Sequence, residues 1–299
     1  MPAPITATLY SDPACPWAYS EQPALRVIEW RYGDQLDWRL VLIGLSEDPA
    51  RYARAGYSPA RGLARQLHYR ERYGMPFAGV LKTRLSASSR ACRAVIAARL
   101  QSPGSEWRVF RALQFANFTT GFLLDDDQQM REVLADVPGV RADRILELID
   151  SPGVRAEYEC DKALARAAAG SPTEFQGKAA DTDGAVRYTA PSVVFEARDS
   201  RRLEAGGFQP VEAYDVLVAN LDPTLRRRPA PGDPSELLEY FELGLTTQEV
   251  AALMAVGNDP VDRLGSERAL LALVGDGRAL RRPLGSDALW LTSGRRDNE

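Results

Sequence analysis

A cysteine followed directly by a proline, where an apolar run passes into an amphipathic one, restricts the fold of this chain more than any other feature. The run from Ile5 to Tyr10 reads as a strand and ends at Ser11-Asp12-Pro13-Ala14-Cys15-Pro16-Trp17-Ala18-Tyr19-Ser20. Pro16 suits a first helical turn, because its fixed φ matches the helix and its missing N–H would find no partner there. Leu25, Val27, Ile28 and Trp30 predict a helix over residues 18–32, broken by Gly33-Asp34. Leu36 to Leu45 reads as a second strand, with Trp38, Leu40 and Leu42 on one alternation and Val41 and Ile43 on the other. Apolar residues on both faces suit a parallel strand covered by helices. The result is a βαβ start with Cys15 at the carboxyl end of the first strand, where open α/β sheets place their ligands. A thiol just before a helix meets unpaired N–H groups and the positive end of the dipole, so its pKa is expected to fall. The competing reading is a small buried hydrophobe in a Pro-rich turn.

From Ser46 to about Ala180 the pattern is helical, with breaks at Ser102-Pro103-Gly104, Pro138-Gly139, Ser151-Pro152-Gly153 and Gly170-Ser171-Pro172. Helices are predicted from Ser58-Pro59 and over residues 88–100, 106–117, 126–135, 141–149 and 154–169, which together form one helical insertion. Cys92, beside Ala91, Val95, Ile96 and Leu100, is expected in the core, and so is Cys160 among Ala156, Ala163, Leu164 and Ala167. The alternative, that one of them resolves a disulfide with Cys15, needs a proximity that sequence does not supply. His68, the one histidine, lies in the charged segment His68-Tyr69-Arg70-Glu71-Arg72, a solvated helix face, which leaves no material for a histidine metal cluster.

The β pattern returns at Tyr188-Thr189-Ala190-Pro191-Ser192-Val193-Val194-Phe195-Glu196, with Pro191 near the strand start, where its missing N–H breaks no ladder bond. Asp199-Ser200 is a turn and Arg201 to Glu204 a partner strand. Gly206-Gly207-Phe208-Gln209-Pro210 opens a helix that ends near Asn220, with Pro210 at its first position. This helix start either holds a carboxylate or is a Gly-rich turn and nothing more.

The string Asp12-Pro13-x-Cys15-Pro16-Trp17-x-Tyr19, followed in order by Thr189-Ala190-Pro191 and Gly206-Gly207-Phe208-Gln209, resembles the DsbA-like branch of the thioredoxin superfamily. Within it the likeness is to FrnE-type proteins, 2-hydroxychromene-2-carboxylate isomerases and kappa-class glutathione transferases, and it covers roughly residues 4–221. The resemblance implies an α/β thioredoxin fold with a large all-helical insertion, Cys15 as nucleophile, and a cis Pro191 facing it. It also implies a substrate groove in which the backbone of Ala190 pairs with substrate and Gly207, Phe208 and Gln209 bind the thiol. Pro16, Trp17, Tyr19 and Asp12 complete the expected site. Trp17 either walls it and stacks on substrate or lies buried under the helix start. Tyr19 and Asp12 can hydrogen-bond near the thiol, unless Asp12 only caps the turn. An acidic neighbour opposes the effect of the helix dipole on the thiol.

Dithiol relatives carry a second cysteine where this chain has Ala18, so Cys15 cannot form the local disulfide. The expected chemistry is a monothiol one: thiolate attack on a disulfide and release of the mixed disulfide by a small thiol. The runner-up is an isomerase or transferase that uses a low-molecular-weight thiol on a small electrophile, since those relatives commonly have serine at the Cys15 position. A third reading is a thioredoxin-fold binding protein without turnover. No tightly bound cofactor and no metal are expected; a low-molecular-weight thiol is the implied co-substrate, and a small-molecule or protein thiol or disulfide the partner.

The chain has 299 residues, 45% hydrophobic and 26% charged, with a net charge of −4, so nothing global recruits nucleic acid or an anionic membrane. Three widely spaced cysteines argue against a secreted disulfide framework. Met1-Pro2-Ala3-Pro4-Ile5 lacks a basic segment followed by an apolar core and no run approaches a membrane span, so a cytoplasmic location is expected. Residues 1–222 are expected as the thioredoxin domain with its insertion at about 46–180, 223–231 as a basic, Pro-rich linker, 232–294 as a second domain and 295–299 as a frayed tail. In the second domain a helix over 235–243, a helix opened by Thr246-Thr247-Gln248-Glu249, a third helix from Asp259-Pro260 or Ser266, and a hairpin around Leu284-Gly285-Ser286-Asp287 resemble a winged helix. Residues 232–294 hold five arginines and no lysine against ten acidic residues, which argues against DNA and for a packing or homodimerisation module.

Overall fold

The structure, a computed structural model, describes residues 3–182, 184–257 and 259–294. The terminal pentapeptide expected as a tail lies outside the described residues. The chain opens with β1 (Ile5–Ser11), α1 (Pro16–Ser20), α2 (Gln22–Tyr32) and β2 (Leu36–Leu42). β1 and β2 are parallel, in register from Ile5–Leu36 to Ser11–Leu42. The expected single helix over 18–32 is two, because Pro23 has no N–H to give the carbonyl of Tyr19 and its ring would crowd that carbonyl. β2 stops three residues before the predicted end. Gly44 turns the chain away at φ +65°, and a Cβ there would stand 2.2 Å from the Tyr158 hydroxyl.

Eight helices follow in the expected insertion: α3 (Pro49–Arg54), α4 (Pro59–Tyr73), α5 (Ser89–Gln101), α6 (Ser105–Thr119), α7 (Asp127–Ala135), α8 (Ala142–Leu148), α9 (Pro152–Ala165) and α10 (Pro172–Phe175). The shortest, α3 and α10, were not predicted. Each is opened by a local cap, Asp48 accepting from the N–H of Ala50 and Ser171 from that of Glu174. A two-residue ladder, β3 (Ala179–Ala180) with β4 (Arg187–Tyr188), closes the excursion. β5 (Ser192–Ala197), β6 (Arg202–Gly206) and α11 (Val211–Leu221) complete the first unit, and Pro210 caps α11 rather than starting it. The sheet order is β2-β1-β5-β6, with β5 antiparallel to both neighbours. Ile5, Ala7 and Leu9 face a core shared with α2, α5, α6 and α11, while Tyr10, Val41 and Val194 face Ala165 and Ala168 at and beyond the end of α9. The α/β fold with its helical insertion is therefore as expected.

The chain ends in a small unit of α12 (Pro234–Tyr240), β7 (Leu245–Thr246), α13 (Thr247–Met254), α14 (Arg263–Gly275), β8 (Ala279–Leu284) and β9 (Asp287–Thr292). Its three strands form an antiparallel sheet in the order β7-β9-β8, and the capping box of Thr246 and Glu249 is in place. The stretch expected as a linker is instead bound along α2. Arg228 N–H donates to the carbonyl of Arg31, Trp30 Nε1 donates to that of Pro229, both at 2.8 Å, and the Arg228 guanidinium lies over the rings of Trp30 and Tyr240. Val27 and Trp30 share a core with Leu237, Leu253 and Trp290. Arg111 of α6 forks onto the carboxylate of Glu249 of α13 with two 2.8 Å bonds, both residues buried. The last unit is thus joined to the first by a hydrophobic seam and a buried ion pair. Among the described residues no helix is long and apolar enough to cross a membrane.

Candidate active site

β1 delivers the chain to the turn, and the N–H of Cys15 closes it on the carbonyl of Asp12 at 3.1 Å. Cys15 stands at the cap position of α1 with Pro16 next, yet its side chain caps nothing there. The sulfur donates instead to the carbonyl of Ala190, 3.0 Å away, and the Ala190–Pro191 bond that follows is cis. The residue is buried, 5% exposed. Burial pushes its thiol up from an ordinary value of 9 to about 12, against the N–H groups of Ala18 and Trp17, which favour the thiolate; Asp12 adds to the rise and Arg187 opposes it. The expected fall in pKa is thus reversed. The helix start contributes as argued, but desolvation of the sulfur outweighs it.

Asp12 is the hub of the turn. It is fully buried and accepts from Ala14 N–H at 2.8 Å, Leu45 N–H at 2.8 Å and Ser88 Oγ at 2.8 Å, with Cys92 Sγ at 3.5 Å. Burial raises its carboxyl pKa in spite of these donors. The carboxyl therefore ties the turn to the segment after β2 and to the start of α5, and bonds Cys92, not the sulfur of Cys15. Cys92 is buried, as the helical pattern predicts, but Cys160 is exposed. The buried stripe of α9 is Val154, Tyr158, Asp161 and Ala165, and Cys160 lies off it; the alanines that pointed to a core carry little hydrophobic weight. All three cysteines are free thiols.

Trp17 is 39% exposed and packs edge-on against Tyr69 and Phe208, with ring centroids 5.0 and 5.6 Å away and Tyr73 at 5.7 Å. It lines a cavity rather than the core. Tyr19 is turned away from the thiol: it is fully buried, stacks on Phe118 and donates to the carbonyl of Pro76 at 3.0 Å. The start of α11 is committed to the protein's own groups. Gly207, at φ +69°, gives its N–H to Ser192 Oγ, Gln209 Nε2 bonds the carbonyl of Gly206, and the N–H of Gln209 points at Glu21 Oε1 at 3.4 Å. The carboxylate that this helix start holds is therefore Glu21, and burial pushes that carboxyl up to about 8.

The aromatic cluster of Trp17, Tyr73 and Phe208 borders two cavities. The larger of the two, 890 Å³, is lined by Tyr73, Phe208, Gln209 and residues of α13. The other, 560 Å³, is lined by Pro16 and Trp17 and roofed by the insertion through Tyr57, Tyr69, Lys82 and Asn117. The second adjoins the cysteine turn through Ala14, Pro16 and Trp17. Sequence reasoning passed over Lys82, Asn117, Ser88 and Glu21. One signal was available: Lys82 is one of only three lysines among 37 basic residues, in a chain that otherwise uses arginine.

No curated protein matches the chain by sequence. Several solved structures share its fold. A protein disulfide isomerase candidate from Nitrosomonas europaea is 18% identical with a TM-score of 0.54, over 72% of this chain and 96% of its own. The cytosolic disulfide reductase DsbM from Pseudomonas aeruginosa is 20% identical with a TM-score of 0.52, over 73% of this chain and 100% of its own. The same enzyme with GSH aligns with a TM-score of 0.50 at 20% identity, over 72% of this chain and 98% of its own. A family model for the DSBA-like thioredoxin domain matches residues 6–190, which span the cysteine turn, the insertion and Ala190. The chain belongs to the DSBA-like thioredoxin family.

Proposed function

We propose that this protein is a thiol–disulfide oxidoreductase that works through Cys15 alone, with a low-molecular-weight thiol as co-substrate. The observation that carries this reading is the sulfur of Cys15 lying 3.0 Å from the carbonyl of Ala190, with Ala18 where a second thiol would stand. In the resting state the thiol is protonated and bonded to that carbonyl. A disulfide RS–SR′ that binds beside Trp17 competes for the backbone of Ala190 and frees the sulfur, which then meets the N–H groups of Trp17 and Ala18 as a thiolate. The thiolate attacks one sulfur; the bond from Cys15 to SR forms, the S–S bond breaks, and R′S⁻ leaves with the proton that Cys15 gave up. A second thiol, R″SH, loses its proton and attacks SR, giving RS–SR″ and restoring the Cys15 thiol with that proton. No net electrons remain on the enzyme. The family and the DsbM fold support a cytosolic reductase-type role of this kind.

The high thiol pKa favours a second reading, in which Cys15 never ionises and donates its S–H to a bound thiolate, which attacks an electrophile as in the isomerase and transferase relatives. Cys15→Ser separates the two. Serine cannot form a mixed disulfide but can still donate a hydrogen bond, so exchange between glutathione and a mixed disulfide disappears under the first reading, and thiol addition to an electrophile survives under the second.

A further inference from the structure

The cavity beside the cysteine turn carries a charge that the protein does not neutralise. Lys82, in the loop between α4 and α5, lines it, and among the described residues no carboxylate lies within ion-pair distance of its ammonium. Its partner is the side-chain carbonyl of Asn117, whose amide in turn points at the carbonyl of Pro13 in the cysteine turn at 3.4 Å. The neighbouring Arg84 is different: its guanidinium pairs with Asp125 at 2.7 Å. A half-buried ammonium without a counter-ion is unfavourable to desolvate, and a cavity is where an incoming anion supplies what is missing. Lys82 responds to its burial, with a pKa lowered to about 8 and Asp125 opposing the fall, so it still carries its charge near neutral pH. The rest of the wall holds Arg51, Arg65, Arg84 and Arg187 together with aromatic rings: Trp17, Tyr69 against it, and Tyr57, over whose ring the guanidinium of Arg65 lies at 4.9 Å.

We infer that the 560 Å³ cavity binds a small organic carboxylate, with Lys82 Nζ as the group that pairs with the carboxylate and Trp17, Tyr57 and Tyr69 as the walls around its apolar part. This rests on the reading of Cys15 as the reacting sulfur only in that the same molecule carries the thiol or disulfide. The volume falls in the range of small-molecule sites, roughly 300–1,000 Å³. With one of its three donors spent on Asn117, the ammonium has two left for the two oxygens of a carboxylate, while the guanidinium of Arg84 is turned onto Asp125 and that of Arg65 onto the ring of Tyr57. Asn117 holds the ammonium in place and links it through Pro13 to the turn that ends in Cys15.

The test uses 2-nitro-5-(methylthio)benzoic acid, which cannot exchange, and its methyl ester, titrated calorimetrically into wild-type and Cys15→Ser protein. The acid is expected to bind more tightly than the ester by on the order of tenfold or more. Lys82→Met removes that preference and Lys82→Arg keeps part of it. The melting temperature of Lys82→Met does not fall, because the substitution removes a desolvated charge. An acid-to-ester ratio that Lys82→Met leaves unchanged, or an acid that does not bind, overturns the inference. Because binding is read on Cys15→Ser as well, a failed exchange assay would remove the monothiol mechanism and leave the carboxylate site standing.

Discussion

The sharpest consequence of the geometry concerns the reactivity of Cys15 when no substrate is bound. Its thiol is raised from 9 to about 12. Three units leave about a thousandfold less thiolate at neutral pH than an ordinary cysteine has, equivalent to roughly 4 kcal/mol. A more basic thiolate is a better nucleophile, which recovers about twentyfold at a Brønsted slope near 0.4–0.5. The net expectation is alkylation on the order of fiftyfold slower than a free thiol, before the narrow opening slows it further. Iodoacetamide labelling followed by intact-protein mass, in a Cys160→Ala background that removes the exposed competitor, reads this directly. The logarithm of the rate should climb one unit per pH unit from pH 6 to pH 10 with no plateau. A plateau with its midpoint at or below pH 8.5 would show that the N–H groups of Trp17 and Ala18 outweigh burial, and the argument would fail. The same shift has a stability counterpart: the fold favours the neutral thiol, so its contribution is complete below pH 9 and is lost as pH rises through about 12.

Other parts of the molecule respond in their own ways. Glu249→Gln leaves Arg111 buried without its carboxylate partner and should lower stability by about 3–5 kcal/mol in urea melts at pH 7, a loss that shrinks as the wild type is acidified through its lowered carboxyl pKa. Glu21→Gln should act oppositely: the wild-type carboxyl is raised to about 8, so its stabilising contribution fades as pH rises from the ordinary carboxyl range through about 8, and thermal melts of the variant should show no such decline. Gly44→Ala forces a Cβ into a φ of +65° and onto the Tyr158 hydroxyl, and should cost about 1–3 kcal/mol in the same melts. A loss below half a kcal/mol would mean that the loop between β2 and α3 relaxes freely.

Much of the architecture was legible because the signals were local. Pro16 after Cys15, the doubled apolar alternation of β2, and breaks such as Ser151-Pro152-Gly153 each act within a few residues, and the corresponding elements stand within a few residues of their predicted bounds. Several of the misreadings have a different cause, since they depended on what lies far away along the chain. The fall expected in the Cys15 pKa follows from a helix start in water, and the reversal comes from Ala190 and the surrounding core, which close over the sulfur from 175 residues away. Tyr19 looked like a site residue from its spacing to Cys15, but the pocket formed by Phe77, Phe115 and Phe118 takes its ring. The supposed linker was judged by its prolines and arginines, and its fate was decided by Trp30 and Tyr240, the rings that hold Arg228. Lys82 has no motif around it and gains meaning only from the cavity it lines.

The account depends on Cys15 carrying the transferred group, and a direct measurement is to quench an exchange reaction between a low-molecular-weight disulfide and glutathione with acid and to weigh the intact protein. The prediction is one thiol adduct, mapped to Cys15 by peptide sequencing, which forms and decays within a turnover and is absent together with exchange in Cys15→Ser. Turnover that persists in Cys15→Ser, or an adduct found on Cys160 instead, would contradict it.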